Sequence, residues 1–281
     1  MTPTIGLYAA NMRAIANPAS ATRIARLAED LGYDSLWVAD HVAVPSPRVP
    51  PSPMEPGEAL LDPLVSLSYL AARTSRIRLA TGCIVLPQRN PLVLAKQLAS
   101  VDVLSEGRLI FGAAVGYLEP ELRALGVPME RRGARTDEYL RAIQSLWYDE
   151  KPAFDGSFVK FSDVDAHPRP VQRPVPLVIG GHSAAALRRT VAFGADWFGY
   201  LLGLRATEEI MAELDRTCSG AARPHVSVTP SRRLDPSSVR AYGDLGVGRL
   251  VLAPLPTWTE AEIADYVTAN APARLGAAKD S

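Results

Sequence analysis

Eight short apolar runs recur along the chain, at Ile5–Ala10, Ser35–Ala39, Ile77–Leu86, Leu109–Val115, Pro176–Gly180, Trp197–Leu202, His225–Thr229 and Arg249–Ala253. Most are nearly continuous in Val, Ile, Leu and Ala. Strands buried on both faces read this way, as in an all-parallel sheet covered by helices. Stretches of helical character separate them. Ser20 is placed to cap a helix over 21–31, and Leu60–Thr74 repeats apolar residues at helical spacing. Asn90 and Pro91 supply the cap and first turn of a helix over 91–105. Further helices are predicted over 135–148, 183–193, 206–218, 236–245 and 259–269. Eight strands alternating with about eight helices predict a (β/α)8 TIM barrel rather than an open doubly wound sheet. A chain of 281 residues holds one such barrel, which typically takes about 250, so one domain over 1–281 is expected.

Two proline-rich stretches interrupt the rhythm, because helices do not persist through such proline density. Val44–Gly57 follows the second strand. In a barrel that is the C-terminal, active-site face, so this stretch is either a lid or a passive loop. Residues 150–175 follow the fourth helix and end in His-Pro-Arg-Pro-Val-Gln-Arg-Pro-Val-Pro. Both are read as insertion loops at the C-terminal face that set specificity.

Composition narrows the function classes. Thirty basic and thirty acidic residues cancel, so the net charge of a nucleic-acid binder is absent. Two cysteines, Cys83 and Cys218, cannot build a disulfide framework or a four-thiolate zinc site. No apolar stretch reaches the roughly 18 residues of a membrane span, and the first residues lack a secretory pattern. A cytoplasmic protein acting on a small molecule is expected, with no nucleic-acid or membrane partner. The four histidines are scattered without metal-ligand spacing, so no metal is expected. The P-loop, dinucleotide, zinc-protease and nucleophile-elbow signatures are all missing.

Several strand ends carry candidate chemistry. Asp40 and His41 end the second strand, either as a catalytic acid and imidazole or as a turn cap and a packed ring. Gly82 interrupts the third strand, where a bulge or close backbone approach is typical. Cys83 beside it has no base or cation nearby in sequence and reads as a small apolar residue. Gly180-Gly181-His182-Ser183 passes from strand into helix, and is either a phosphate site at a helix N-terminus or a plain capped turn. Phe111–Tyr117 is rich in small residues that either admit a flat ligand or pack the barrel. Glu119 and Glu121 fit a solvated helix start.

Together these residues resemble the luciferase-like monooxygenase superfamily, in particular its F420-dependent oxidoreductase branch. The resemblance runs from Ile5 to about Ala253. It is carried by Gly32–His41, Arg89–Lys96, Leu104–Leu109, Arg132–Tyr139, His167–Pro174 and Ile179–Gly181, in that order. It implies a deazaflavin or flavin at the barrel mouth, with Asp40 by the ring and His41 beside its reacting face. It implies a non-prolyl cis peptide at Cys83–Ile84 backing the ring, with Gly82 in the same bulge. It implies a ring pocket lined by Val115 and Gly116, and a phosphate loop at Gly180, Gly181, His182 and Ser183. Sugar-phosphate dehydrogenases of the branch carry a glutamate at the position of Tyr117, and many other members carry tryptophan. Tyr117 is therefore expected as a proton donor or a stacking ring, and not as a base. The expected activity is hydride transfer between coenzyme F420 and a small organic substrate, with His41 and Tyr117 catalytic. The alternatives are an FMN-dependent monooxygenase and a non-catalytic cofactor-binding protein. Homodimers are common in the superfamily. A lyase needing a Schiff-base lysine is disfavoured, since Lys96 falls on a helix.

Overall fold

A computed structural model describes residues 2–278. Eight parallel strands close into a barrel. In ring order they are β1 (Thr4–Tyr8), β2 (Ser35–Val38), β3 (Arg78–Thr81), β5 (Leu109–Ala114), β8 (Leu177–Gly180), β9 (Asp196–Leu202), β10 (Val226–Pro230) and β11 (Arg249–Leu252). Ile5 pairs with Leu250 at one seam and Leu79 with Leu109 at another, so no edge is left open. The two-residue β4 (Ile84–Val85) prolongs the third position and pairs with the upper end of β5. All eight apolar runs of the sequence lie on these strands.

The helices are α1 (Pro18–Asp30), α2 (Pro63–Ala71), α3 (Pro91–Leu104), α4 (Glu119–Ala124), α5 (Arg132–Tyr148), α6 (Ala184–Ala192), α7 (Leu204–Cys218), α8 (Pro236–Asp244), α9 (Glu260–Ala269) and α10 (Pro272–Leu275). Asn90 caps α3 as expected. The α1 cap is Asn17 instead of Ser20, because Pro18 opens the helix and Asn17 accepts the Ser20 N–H at 3.0 Å. Asp62 caps α2, so Leu60 and Leu61 stay outside it.

The outward faces of the strands meet the helices in one continuous apolar layer that includes Leu36, Leu67, Leu98, Ile143, Trp197 and Val228. Inside the barrel is a smaller core of Trp37, Ala80, Ile110, Val178, Phe198 and Val251. Beneath it, at the N-terminal ends of the strands, sits a polar floor. Arg249 pairs with Asp34 at 2.6 Å and donates to Ser227 Oγ at 3.2 Å. Ser35 donates to Asp34 at 2.6 Å and accepts Trp37 Nε1–H at 2.8 Å. All are buried, so the charges satisfy one another within the barrel.

Residues 150–175 depart from expectation. They join the end of α5 to the start of β8, so they begin and end at the N-terminal face, opposite the mouth. Within them a hairpin of β6 (Phe154–Asp155) and β7 (Lys160–Phe161) climbs the outside of α5. Its tip reaches the start of that helix. There Glu138 accepts the N–H groups of Ser157, Phe158 and Val159, and Arg131 and Arg135 cover the Phe158 ring. Further on, buried Asp102 accepts the N–H groups of Val171 and Gln172 and the Gln172 amide. Glu29 does the same for Ser75, Arg76 and Ile77. Single carboxylates thus fasten whole loops. No helix among the described residues is long and apolar enough to cross a membrane.

Candidate active site at the barrel mouth

At the C-terminal ends of the strands the polar floor gives way to aromatic rings. Trp37 and Phe198 stack with centroids 4.9 Å apart, and Tyr8 lies 6.3 Å from Phe198 and 5.1 Å from Tyr200. Two irregularities shape this rim. The first follows β3, where Tyr8 donates its hydroxyl to Gly82 O at 2.9 Å and the peptide bond Gly82–Cys83 is cis. The cis bond is thus one residue earlier than the Cys83–Ile84 position that the resemblance implied. Burial, with Asp40 nearby, pushes the Cys83 thiol up to about 12, so it is an uncharged wall residue. Gly180, on β8 just beyond β5, lies beside it, where a Cβ would fall 2.7 Å from Cys83 Sγ.

The second irregularity is in β9. Val228 pairs with Gly199 but Pro230 pairs with Leu202, so Tyr200 and Leu201 together oppose Thr229. This is a β-bulge, and Leu201 takes a positive φ of 56°. Tyr200 and Leu201 are both exposed there. Val226 and Val228 belong to the outer layer, so alternation turns Thr229 into the barrel. It is buried and its hydroxyl has no hydrogen-bond partner among the described residues.

Asp40 and His41 follow one another just beyond β2, and their side chains turn to different partners. The Asp40 carboxylate accepts Val85 N–H at 2.9 Å and Arg89 at 2.7 Å. Burial raises its pKa and Arg89 opposes that rise. It holds β4 in place beneath the rim. His41 turns the other way. Its Nδ1 lies 2.8 Å from Glu121 Oε2, and its Nε2 lies 3.5 Å from the Tyr117 hydroxyl. The His41 and Tyr117 rings meet edge to face at 6.0 Å. Burial, then the charge of Glu121, raises the Tyr117 phenol above its ordinary value, so it is a donor at neutral pH.

Glu121 was expected on a solvated helix start, and only Glu119 is. Glu121 is 2% exposed, and its other oxygen accepts the N–H groups of Val42 and Ala43 at 2.5 and 3.4 Å. Burial works against its charge. The hydrogen bond and charge of His41 outweigh that and bring its carboxyl below the ordinary range. Sequence offered one weak signal, its position four residues beyond Tyr117.

Gly180, Gly181, His182 and Ser183 do form the passage from β8 into α6. Ser183 caps the Ala186 N–H, which leaves the N–H groups of Ala184 and Ala185 pointing off the helix end. Gly181 has φ +123°. His182 Nε2 accepts Tyr200 N–H at 3.0 Å, so the loop and the β9 bulge are joined. Val115 is half-buried after β5. Gly116 has φ +78° and fits against Val85, where a Cβ would come within 2.6 Å. The proline-rich stretch over 44–57 stands at the same face. Met54 is buried against Ala9, Met12 and Ala39, which anchors it.

A closed (β/α)8 barrel with its polar chemistry gathered at the C-terminal rim defines the class. Residues 4–235 match the family described as luciferase-like monooxygenase, and the chain belongs to that family. An uncharacterised protein of Mycobacterium tuberculosis is 38% identical over 180 residues, 61% of this chain and 64% of its own. The match thus spans under two thirds of that relative's length. An FMNH2-dependent dimethylsulfone monooxygenase of Pseudomonas putida is 32% identical over 162 residues, covering 56% of this chain and 44% of its own. Among solved structures, the monooxygenase RslO1 from Streptomyces bottropensis superposes with a TM-score of 0.75 at 21% identity, over 94% of this chain and 96% of its own. An F420-dependent secondary alcohol dehydrogenase, in complex with an F420–acetone adduct, superposes with a TM-score of 0.70 at 17% identity, over 99% and 85%. At those identities the structures speak for the fold alone.

Proposed function

We propose that this protein is an F420-dependent oxidoreductase that transfers a hydride between the deazaflavin C5 and a small organic substrate. The observation that carries the reading is His41. It is a ring held by a buried carboxylate, with its second nitrogen presented at an aromatic barrel mouth. The residues present fit a flat cofactor with a phosphate. Tyr8 and Tyr200 supply aromatic walls above the buried rings of Trp37 and Phe198, and the α6 N-terminus supplies free N–H donors. Thr229 supplies a buried hydroxyl without a partner among the described residues. Gly180, Gly181, His182 and Ser183 would hold the phosphate. Gly82, Cys83 and Ile84 would back the ring, Val115 and Gly116 would line its pocket, and Asp40 would brace that wall through Val85.

When bound, the deazaflavin supplies the hydride chemistry. The protein's task is then to move one proton and exclude water. His41 Nε2 is the atom placed to give or take that proton, and the Tyr117 hydroxyl is a second donor beside it. The secondary alcohol dehydrogenase neighbour, named as F420-dependent, shows that this fold can carry such a cofactor. A second reading is oxygen activation with FMN, favoured by the P. putida relative named as an FMNH2-dependent monooxygenase. Titrating the protein with oxidised F420 and with FMN, followed by ring fluorescence, separates them. Saturable F420 binding with weak FMN binding is expected, followed by turnover of reduced F420 on a carbonyl or unsaturated substrate. Preferential FMN binding with substrate-dependent oxygen uptake would replace the first reading by the second.

A further inference from the structure

Two buried carboxylates stand at the rim, and Asp40 is committed to Val85 and Arg89. Glu121 divides its two oxygens between different tasks. One faces His41 Nδ1, and the other takes the first N–H groups of the loop that runs into the proline-rich stretch. An ionised carboxylate only accepts hydrogen bonds, so Nδ1 must carry a proton. Neutral His41 then has its lone pair on Nε2, and protonated His41 has a second N–H there. In both states Nε2 is the exchanging atom. We propose that Glu121 is the positioning residue of this site. It fixes Nδ1 of His41 as a permanent donor so that proton exchange with substrate occurs at Nε2. A buried ion pair gains little net stability, whereas a ring with a fixed tautomer and orientation is what proton transfer requires. The role in turnover rests on the hydride-transfer reading, but the tautomer does not.

Glu121→Gln makes the test sharp. The N–H groups of Val42 and Ala43 claim the single amide oxygen of a glutamine. Its NH2 then faces Nδ1, which must become an acceptor, and the proton moves to Nε2. The chain has four histidines, so 15N-labelled imidazoles are resolvable, with His41→Asn assigning the signal. At neutral pH the wild type is expected to show Nδ1–H, and Glu121→Gln is expected to show Nε2–H. Cofactor Kd should stay within about twofold, while kcat falls by about 10²-fold and KM moves far less. A neutral wild-type His41 carrying its proton on Nε2 overturns the proposal even if the variant fails to fold. An unchanged tautomer in Glu121→Gln overturns it too, as does an inverted tautomer with kcat within about threefold. Should wild type turn over with neither cofactor, the functional reading fails, and the tautomer in wild type and variant still decides the role of Glu121.

Discussion

The floor and the mouth of the barrel are built from similar groups to opposite ends. At the floor, Asp34, Ser35, Trp37, Ser227 and Arg249 close a chain of contacts at 2.6–3.2 Å in which the donors and acceptors answer one another. At the mouth, Tyr117 stands 3.5 Å from His41, and Thr229 has no hydrogen-bond partner among the described residues. The difference teaches where the fold is held and where chemistry is free to happen. Polar groups fully matched to each other have nothing left to offer a ligand. Groups held in place but incompletely matched do.

The largest effect should come from breaking the floor. Asp34→Ala strands the Arg249 charge inside the barrel and should cost about 3–5 kcal/mol in denaturant unfolding. A smaller loss would mean that water reaches Arg249 and that the floor is not sealed. At the mouth, His41→Asn keeps an N–H donor for Glu121, so its melting temperature should stay near wild type. Turnover should nevertheless fall by about 10²–10⁴-fold. A comparable loss of stability would erase the distinction between the two ends.

Gly180→Ala probes the wall between them. The added methyl meets Cys83 Sγ and should cost about 1–3 kcal/mol. Pairing it with Cys83→Ala should recover most of that, and equal penalties in single and double variants would show the clash is not with the thiol. The smallest effect is a titration. Desolvation of its ring lowers the His182 pKa below the ordinary value, and its Nε2 can accept from Tyr200 only while unprotonated. The folded value lies below the unfolded one, so this contribution is fully present above about pH 6.5. It is lost as pH falls through the lower, folded value. Between pH 7.5 and 5 the Tyr200 amide resonance should move in wild type but not in His182→Gln. Identical pH responses would remove the link between the phosphate loop and the β9 bulge.

The barrel was legible because strands covered on both sides announce themselves as unbroken apolar runs, whichever helices follow. Caps were legible where a proline follows an Asn, as at Asn90. The same logic applied to Asn17 and Pro18 would have corrected the start of α1. The hairpin over 154–161 was hidden, since two-residue strands carry no period. Glu121 was hidden for a different reason. Its burial comes from α4 packing beside a histidine 80 residues away, and a charged residue next to a proline looks solvated. The motifs that carried the family resemblance prove largely structural. Arg108, in the stretch Leu104–Leu109, donates to the carbonyls of Ala71, Thr74, Ile77 and Ser105. Gln172, in His167–Pro174, is held by Asp102. They identify the scaffold and say little about the substrate.

The single-carboxylate fastenings bear on how such a scaffold diversifies. The hairpin tip is secured by Glu138 through backbone N–H groups that any non-proline residue possesses. The attachment therefore reads the path of the chain and is indifferent to its side chains. Segments of new sequence, even of new length between their fixed points, can be grafted onto the same barrel without redesigning its core. The stretch beyond Val42, moored in the same way to Glu121, is where such grafting would change what the mouth admits.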